Sequence, residues 1–211
     1  QRSGTFAVTA GGTEGQAAVV ASVGTSSASA PLEVTRVIMG TPQAAGDVVI
    51  TEIMKNPSAL SDSVGEWLEL HNPSANVIQE LRGCRVTDAD SDSFDIAQSL
   101  TIPPGGYASL AKSAMPGFTP DFVWGRTNLA NGDDEVILTC GMVEIDRVEY
   151  DDPTHPDDNG RSMQLDPSLL GPMPATPPHV ANDTGSSWCS GTTDYNMGDQ
   201  GTPGAPNTGC P

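Results

Sequence analysis

The sequence is poor in basic residues and in long apolar runs, and each shortage excludes a class of function. Its 211 residues carry 9 Lys and Arg against 27 Asp and Glu, a net charge of −18. Because proteins contact nucleic-acid phosphates through clustered Lys and Arg, we expect no nucleic-acid partner. No apolar run approaches the ~18 residues that span a bilayer, so we expect no membrane span. The 36% of hydrophobic residues suits one or two domains with a core of modest size.

Motifs of enzyme chemistry are also missing. There is no G-x-S-x-G, H-E-x-x-H, P-loop or G-x-G-x-x-G sequence. Of the histidines, His71 ends a predicted strand, and His155 and His179 lie in proline-rich loops. We therefore expect a protein that is not an enzyme. A carboxylate pair for glycoside hydrolysis stays open, because the many acids supply many pairs whose separations the sequence does not give.

The four cysteines, Cys84, Cys140, Cys189 and Cys210, show neither a C-x-x-C motif nor zinc-site spacing to a histidine. An even count without a metal pattern predicts two disulfides and an oxidising compartment, hence a secreted or cell-surface protein. Of the three possible pairings, we favour Cys84–Cys140 and Cys189–Cys210, because the second pair flanks a strand-poor tail that needs tying down. The alternative is four buried free thiols in a cytosolic protein.

Short runs with a two-residue hydrophobic period recur every 10–15 residues and predict an all-β, Ig-like antiparallel β-sandwich. The predicted strands are 47–54, 66–71, 84–87, 93–96, 107–111, 122–124, 135–140, 142–150 and 162–165. Within 66–71 the alternation predicts that Leu68 and Leu70 are buried while Glu69 and His71 face solvent. Frequent prolines between 153 and 178 predict a long irregular Pro/Gly-rich C-terminal segment.

The first 40 residues form a separate stretch with short β-type runs at 5–9, 16–23 and 32–34. With one aromatic residue they are too small to build a core alone. We interpret 1–40 as the end of an upstream Ig-like module, or as extra strands, followed by a linker to a main domain at 41–211. No signal-peptide pattern precedes them, so we expect either a mature product or a piece of a longer precursor.

An acidic loop offers the sharpest candidate site. Asp88, Asp90 and Asp92 alternate along it, and Asp95 follows. Ca²⁺ prefers six to eight oxygen ligands of this kind, so these four residues are a candidate calcium site and Ca²⁺ the one candidate cofactor. The loop lacks the central glycine and the final glutamate of an EF-hand, and the competing interpretation is a solvated acidic loop.

The tryptophans and tyrosines are candidates for stacking on sugars. Trp67 and Trp124 lie in or beside strands, which favours the core. Trp188 and Tyr195 lie in the loop-rich tail and are the better candidates for an exposed face, although we favour packing for both.

Five segments in order resemble the lamin tail domain as it occurs in bacterial surface proteins. They are 48–54, 65–73 (GEWLELHNP), 102–107 (IPPGGY), 128–136 (NLANGDDEV) and 201–207 (GTPGAPN). The resemblance implies an Ig-like sandwich over about 47–207 that serves structure or binding and not catalysis. Cys84 departs from the pattern, since many members carry an aromatic residue after this turn. The charge argues against carrying over the chromatin contacts of the nuclear members.

These observations predict a secreted or cell-surface bacterial module for adhesion, scaffolding or targeting within a larger protein. Its partner is expected to be a protein or a surface polysaccharide. The alternative is a calcium-dependent or carbohydrate-binding module that accompanies an extracellular hydrolase, and a glycan array separates the two.

Overall fold

Two units make up the chain, Gln1–Ile38 and Met39–Pro211. The computed structural model describes residues 15–23, 26–34, 36–171 and 174–210. In the first unit, β1 (Gly15–Val23) and β2 (Ser26–Val34) form an antiparallel hairpin. The predicted strand at 5–9 lies outside the described residues. The origin of this segment in an upstream module stays a prediction.

Strands make up most of the regular structure, as the sequence predicts. The others are β3 (Ile38–Gly40), β4 (Val49–Met54), β5 (Trp67–His71), β6 (Val77–Glu80), β7 (Cys84–Thr87), β8 (Ser93–Asp95), β9 (Thr101–Ile102), β10 (Tyr107–Ala111), β11 (Phe122–Val123), β12 (Asp134–Cys140), β13 (Val143–Tyr150), β14 (Met163–Leu165), β15 (Trp188–Ser190), β16 (Asp194–Asn196) and β17 (Asp199–Gln200). The described helices are short: α1 (Asp62–Gly65), α2 (Pro178–Ala181) and 3₁₀ turns at Pro167–Leu170 and Gly185–Ser187.

Two sheets of the second unit enclose one core. A six-stranded sheet has the order β11-β10-β5-β4-β14-β15, and a four-stranded sheet has the order β13-β12-β7-β8. Neighbouring strands are antiparallel except β10 and β11, which are parallel. Ile50, Leu68 and Leu110 of the first sheet share a buried cluster with Val86 and Leu138 of the second. This arrangement confirms the predicted Ig-like β-sandwich.

Both predicted disulfides are present. Cys84 and Cys140 are directly opposed on the paired strands β7 and β12, 56 positions apart in sequence. Cys189 of β15 is joined to Cys210, 21 positions further on. The first bond lies inside the core, and the second fastens the end of the irregular tail to the edge of the six-stranded sheet.

The outer face of the six-stranded sheet is covered, which corrects one prediction. All five residues of β5 are buried, including Glu69 and His71, which the alternation placed in solvent. The period-2 rule assigns polar positions to solvent only when one face of the sheet is free. Here the segment 201–207 lies over that face and contacts Glu52 and Glu69.

Candidate functional site

The covered face of the sheet holds two glutamates with no exposed surface. Glu52 of β4 and Glu69 of β5 are cross-strand partners, so their carboxyl groups lie side by side. Two like charges directly opposed in a sheet destabilise it unless each is compensated. This pair therefore needs either hydrogen-bond donors or a proton.

The donors come from one turn of the tail. The backbone N–H of Thr202 donates to Glu52 at 3.0 Å, and its hydroxyl donates at 2.8 Å. The backbone N–H groups of Gly204 and Ala205 donate to Glu69 at 2.8 and 3.1 Å. The turn is closed by a bond of 2.9 Å from the Ala205 N–H to the Thr202 carbonyl. The buried acids thus bind the chain's own backbone and hold the tail on the sheet.

Burial also favours the protonated form of these groups. It raises the pKa of Glu52 to about 7, against hydrogen bonds from Ser162 and Thr202 that lower it. The pKa of Glu69 is raised well above its ordinary value by burial and then by the neighbouring charge of Glu52. The pair therefore takes up a proton as the pH falls toward neutrality.

Asn207 fastens the same segment further along. Its side-chain amide donates to the carbonyl of Thr51 at 2.9 Å and to that of Leu165 at 2.8 Å. These two carbonyls belong to β4 and β14. A single buried asparagine thus satisfies acceptors of two strands, beside the disulfide at Cys210.

A methyl group at Gly201 should loosen this attachment. A Cβ there would lie 2.8 Å from both the Glu52 carboxyl oxygen and the Trp67 ring, so we expect Gly201→Ala to lower the free energy of unfolding by about 1–3 kcal/mol. Urea denaturation followed by tryptophan fluorescence measures the loss. Gly209→Ala is the matched control, because a Cβ there meets no atom within 4 Å. Equal stability of the two variants would contradict the close packing of the tail.

A third buried acid has a similar structural role. Asp146 of β13 accepts the Ile50 N–H at 2.6 Å and the Asn182 side-chain amide at 2.8 Å. Burial raises the pKa of Asp146 to about 8. The contact joins β4 and β13 to the segment after α2.

The acidic loop does not bring its four aspartates together as a ligand set. Asp88 accepts the backbone N–H groups of Asp90 and Asp92 at 2.9 and 3.0 Å, and so closes a local turn. The carboxylate of Asp95 is paired with Arg85 through bonds of 2.7 and 3.1 Å. Among the residues that the structure describes, no three His, Cys, Asp or Glu side chains form a group that could hold a metal ion. The calcium site stays a prediction, to which this geometry adds no support.

The aromatic residues of the tail are used for packing. Trp188 is 6% exposed, so of the two roles weighed for it the structure shows the favoured one, packing. Its ring N–H donates to the Asn182 carbonyl at 2.9 Å. Tyr195 is half-buried in an edge-to-face cluster with Trp67 and Phe118, with ring centroids 5.7 and 5.8 Å away. The tail lacked the hydrophobic period that would have predicted this packing.

The described residues also line an open groove of about 580 Å³. Its lining includes the acids Glu149, Asp151 and Asp183 and the hydroxyl side chains Thr154 and Ser186. Sequence reasoning did not find it, because these residues come from β13, from the proline-rich loop after it and from the irregular segment 183–186, and the last two showed no pattern. Its polar lining suits a hydrophilic ligand.

Comparisons with known proteins identify the family. In the part of the chain with described coordinates, no helix has the length and apolar character to cross a membrane. No curated protein is significantly similar to the chain. The Lamin Tail Domain family matches residues 41–152, which is more than half of the sequence and includes β4 to β13. The chain therefore belongs to the lamin tail domain family.

Proposed function

We propose that this chain is a non-catalytic structural or adhesion module of a secreted or cell-surface bacterial protein. The observation that carries the proposal is the use of its buried acids. Glu52, Glu69 and Asp146 all accept hydrogen bonds from the chain's own backbone or side chains. Groups used in this way rigidify a scaffold, and function then resides on the surface that the scaffold presents.

Two further features support an extracellular role. The pairs Cys84–Cys140 and Cys189–Cys210 are both oxidised, and such bonds persist outside the reducing cytosol. The charge of −18 keeps the surface soluble and favours a partner with basic groups. We expect this partner to be a protein or a cell-surface polysaccharide.

The experiment has a compartment arm and a binding arm. Protein taken from the native cells is alkylated without reduction and analysed by mass spectrometry. We expect no alkylated cysteine, and four alkylated cysteines would contradict the extracellular assignment. The purified chain is then applied to immobilised envelope proteins and to envelope polysaccharides. Retention that weakens with added salt supports the proposed binding role. Cleavage of a polysaccharide would contradict the proposal that the chain is non-catalytic.

The groove favours one second candidate, a carbohydrate-binding module that accompanies an extracellular hydrolase. Carboxylates and hydroxyls such as Asp151, Asp183 and Thr154 recognise sugar hydroxyl groups. A glycan array with and without millimolar Ca²⁺ tests this candidate. Binding of a defined sugar that is lost in Asp183→Ala supports it, and a requirement for Ca²⁺ supports its calcium-dependent form. A blank array removes it.

A further inference from the structure

A buried lysine meets an amide and an acid beneath the loop that precedes β12. The Nζ of Lys112, which follows β10, lies 2.5 Å from the side-chain oxygen of Asn128 and 3.0 Å from the Glu66 carboxylate. Lys112 is 6% and Glu66 1% exposed. A buried amine that contacts both a buried carboxyl group and the carboxamide of an exposed loop residue brings together the reactants and the acid–base group of amide exchange.

We propose that Lys112 and Asn128 form an intramolecular isopeptide bond, with Glu66 as the group that transfers the protons. This is a covalent modification of the folded chain that needs no external enzyme, oxidant or cofactor. It is independent of the partner proposed above.

The distances suit the reaction. Since a carbonyl bond is about 1.2 Å long, Nζ lies no more than about 3.7 Å from the Cγ of Asn128. This is near the 3–3.5 Å separation of reacting atoms in a near-attack geometry. The contact shown is between the lysine and the amide before any bond has formed.

The backbone holds both reactants in place. The Asn128 N–H donates to Asp92 at 3.1 Å, and the Leu129 N–H donates to the same Glu66 carboxyl oxygen that contacts Lys112, also at 3.1 Å. The Lys112 N–H donates to the Glu66 carbonyl at 3.0 Å. Lys112 is thus tied to Glu66 through its main chain, and the backbone at 128–129 is tied to Asp92 and Glu66, and such orientation lowers the entropic barrier to reaction.

The chemistry balances with the groups present. A proton passes from the Lys112 ammonium group to Glu66, and the freed amine attacks Cγ of Asn128. Glu66 then gives that proton to the leaving nitrogen and takes a second proton from the attacking nitrogen, so a C–N bond forms, a C–N bond breaks, ammonia departs and Glu66 is left protonated. Burial raises the pKa of Glu66 to about 7, which suits a group that both accepts and donates a proton near neutrality. Asn128 is an exposed residue, so the ammonia has a path to solvent.

Lys55 provides an internal control. It is 3% exposed and also contacts two acids, Asp152 at 3.2 Å and Asp157 at 3.0 Å. Those carboxylates are 50% and 40% exposed, and no described contact joins Lys55 to a carboxamide. Lys55 and Lys112 are therefore both buried beside acids. They differ in that Lys112 also contacts a carboxamide.

A tryptic map of the reduced, folded protein decides the question. Cleavage after Arg126 separates Lys112 from Asn128, so an unlinked chain yields the free peptides 86–112, 113–126 and 127–147. The proposal predicts no cleavage after Lys112, loss of free 127–147, and a joined species 86–126 plus 127–147 that is lighter by one ammonia than its parts. Cleavage after Lys55 proceeds normally.

Variants then test each role. Asn128→Ala changes an exposed loop residue and should restore the free peptide 127–147, as should Glu66→Gln, whereas Lys55→Met should keep the joined species. Circular dichroism confirms that each variant is folded. Free peptide 127–147 from folded wild-type protein overturns the proposal, and a joined species in Glu66→Gln overturns the assignment of Glu66.

Discussion

The unfolding free energy of this protein should fall as the pH rises from about 4.5 to 8. Glu52, Glu69 and Asp146 have pKa values raised by burial, to about 7 for Glu52 and about 8 for Asp146. The folded state keeps protons that the unfolded state loses above its ordinary carboxyl pKa. Their stabilisation is thus complete below about pH 4.5 and is lost as the pH passes through the folded values.

The expected effect is large because these groups are fully buried. For Glu52 alone, a shift from 4.5 to about 7 corresponds to a loss on the order of 3 kcal/mol. Burial lowers the pKa of His71 and His155. These two shifts make the unfolding free energy rise with pH, but only below about pH 6.5. The decline between pH 6.5 and 8 is therefore due to the acids alone, with Asp146 titrating there, and it should lower Tm by several degrees in calorimetry.

The matched control is a pair of amide variants. Glu52→Gln with Glu69→Gln keeps the shapes of the side chains and removes their titration, so the fall of Tm with pH should become shallower. Asp90→Asn changes one exposed acid and should leave the slope as it is. A wild-type Tm that is constant from pH 5 to 8 would show that these carboxyl groups are ionised throughout.

Removal of the Cys84–Cys140 bond should cost about 4 kcal/mol of unfolding free energy. The bond closes a loop of 56 positions, and its loss frees the unfolded chain to explore more conformations. Equilibrium denaturation in guanidinium chloride of Cys84→Ala with Cys140→Ala measures this loss. The m-value should rise as well, because the unfolded state becomes more open.

The second disulfide serves as the comparison. Cys189→Ala with Cys210→Ala opens a loop of 21 positions, for which the same relation gives about 3 kcal/mol. Hydrogen exchange should then show faster exchange at 201–208, since the tail loses its covalent anchor but keeps its bonds to Glu52 and Glu69. If the first double variant is as stable as the wild type, the loop-entropy argument does not hold here.

The strands of the two sandwich sheets other than β15 were predictable because each carries a local signal. The Asn-Pro stop after Met54 and the period of β5 place these strands within two residues of their observed bounds. β3, β6, β9 and β15 to β17 were missed, because their two to four residues show no hydrophobic alternation that stands out from the flanking loops. Their positions depend on contacts distant in sequence, which no local pattern carries.

The buried acids could not have been predicted as buried. The alternating pattern of β5 predicts that Glu69 lies on the solvent-facing side of a strand with one buried face. Its partners, Gly204 and Ala205, lie 135 and 136 positions away. The pairing Cys84–Cys140 was predictable, because Cys189 and Cys210 flank the strand-poor tail and leave these two cysteines for each other. The groove was not, since Asp151 and Asp183 come from separate irregular segments.

The bond between Cys84 and Cys140 also limits how far this protein can lengthen under tension. A pull on the two chain ends travels through the cystine and bypasses the 56 positions between its halves. Fully drawn out, that stretch would add up to about 190 Å of contour, none of which is released until the sulfur–sulfur link is broken. In the adhesive role proposed above, the segment from β7 to β12 would thus stay out of the line of force while the strands outside that span give way.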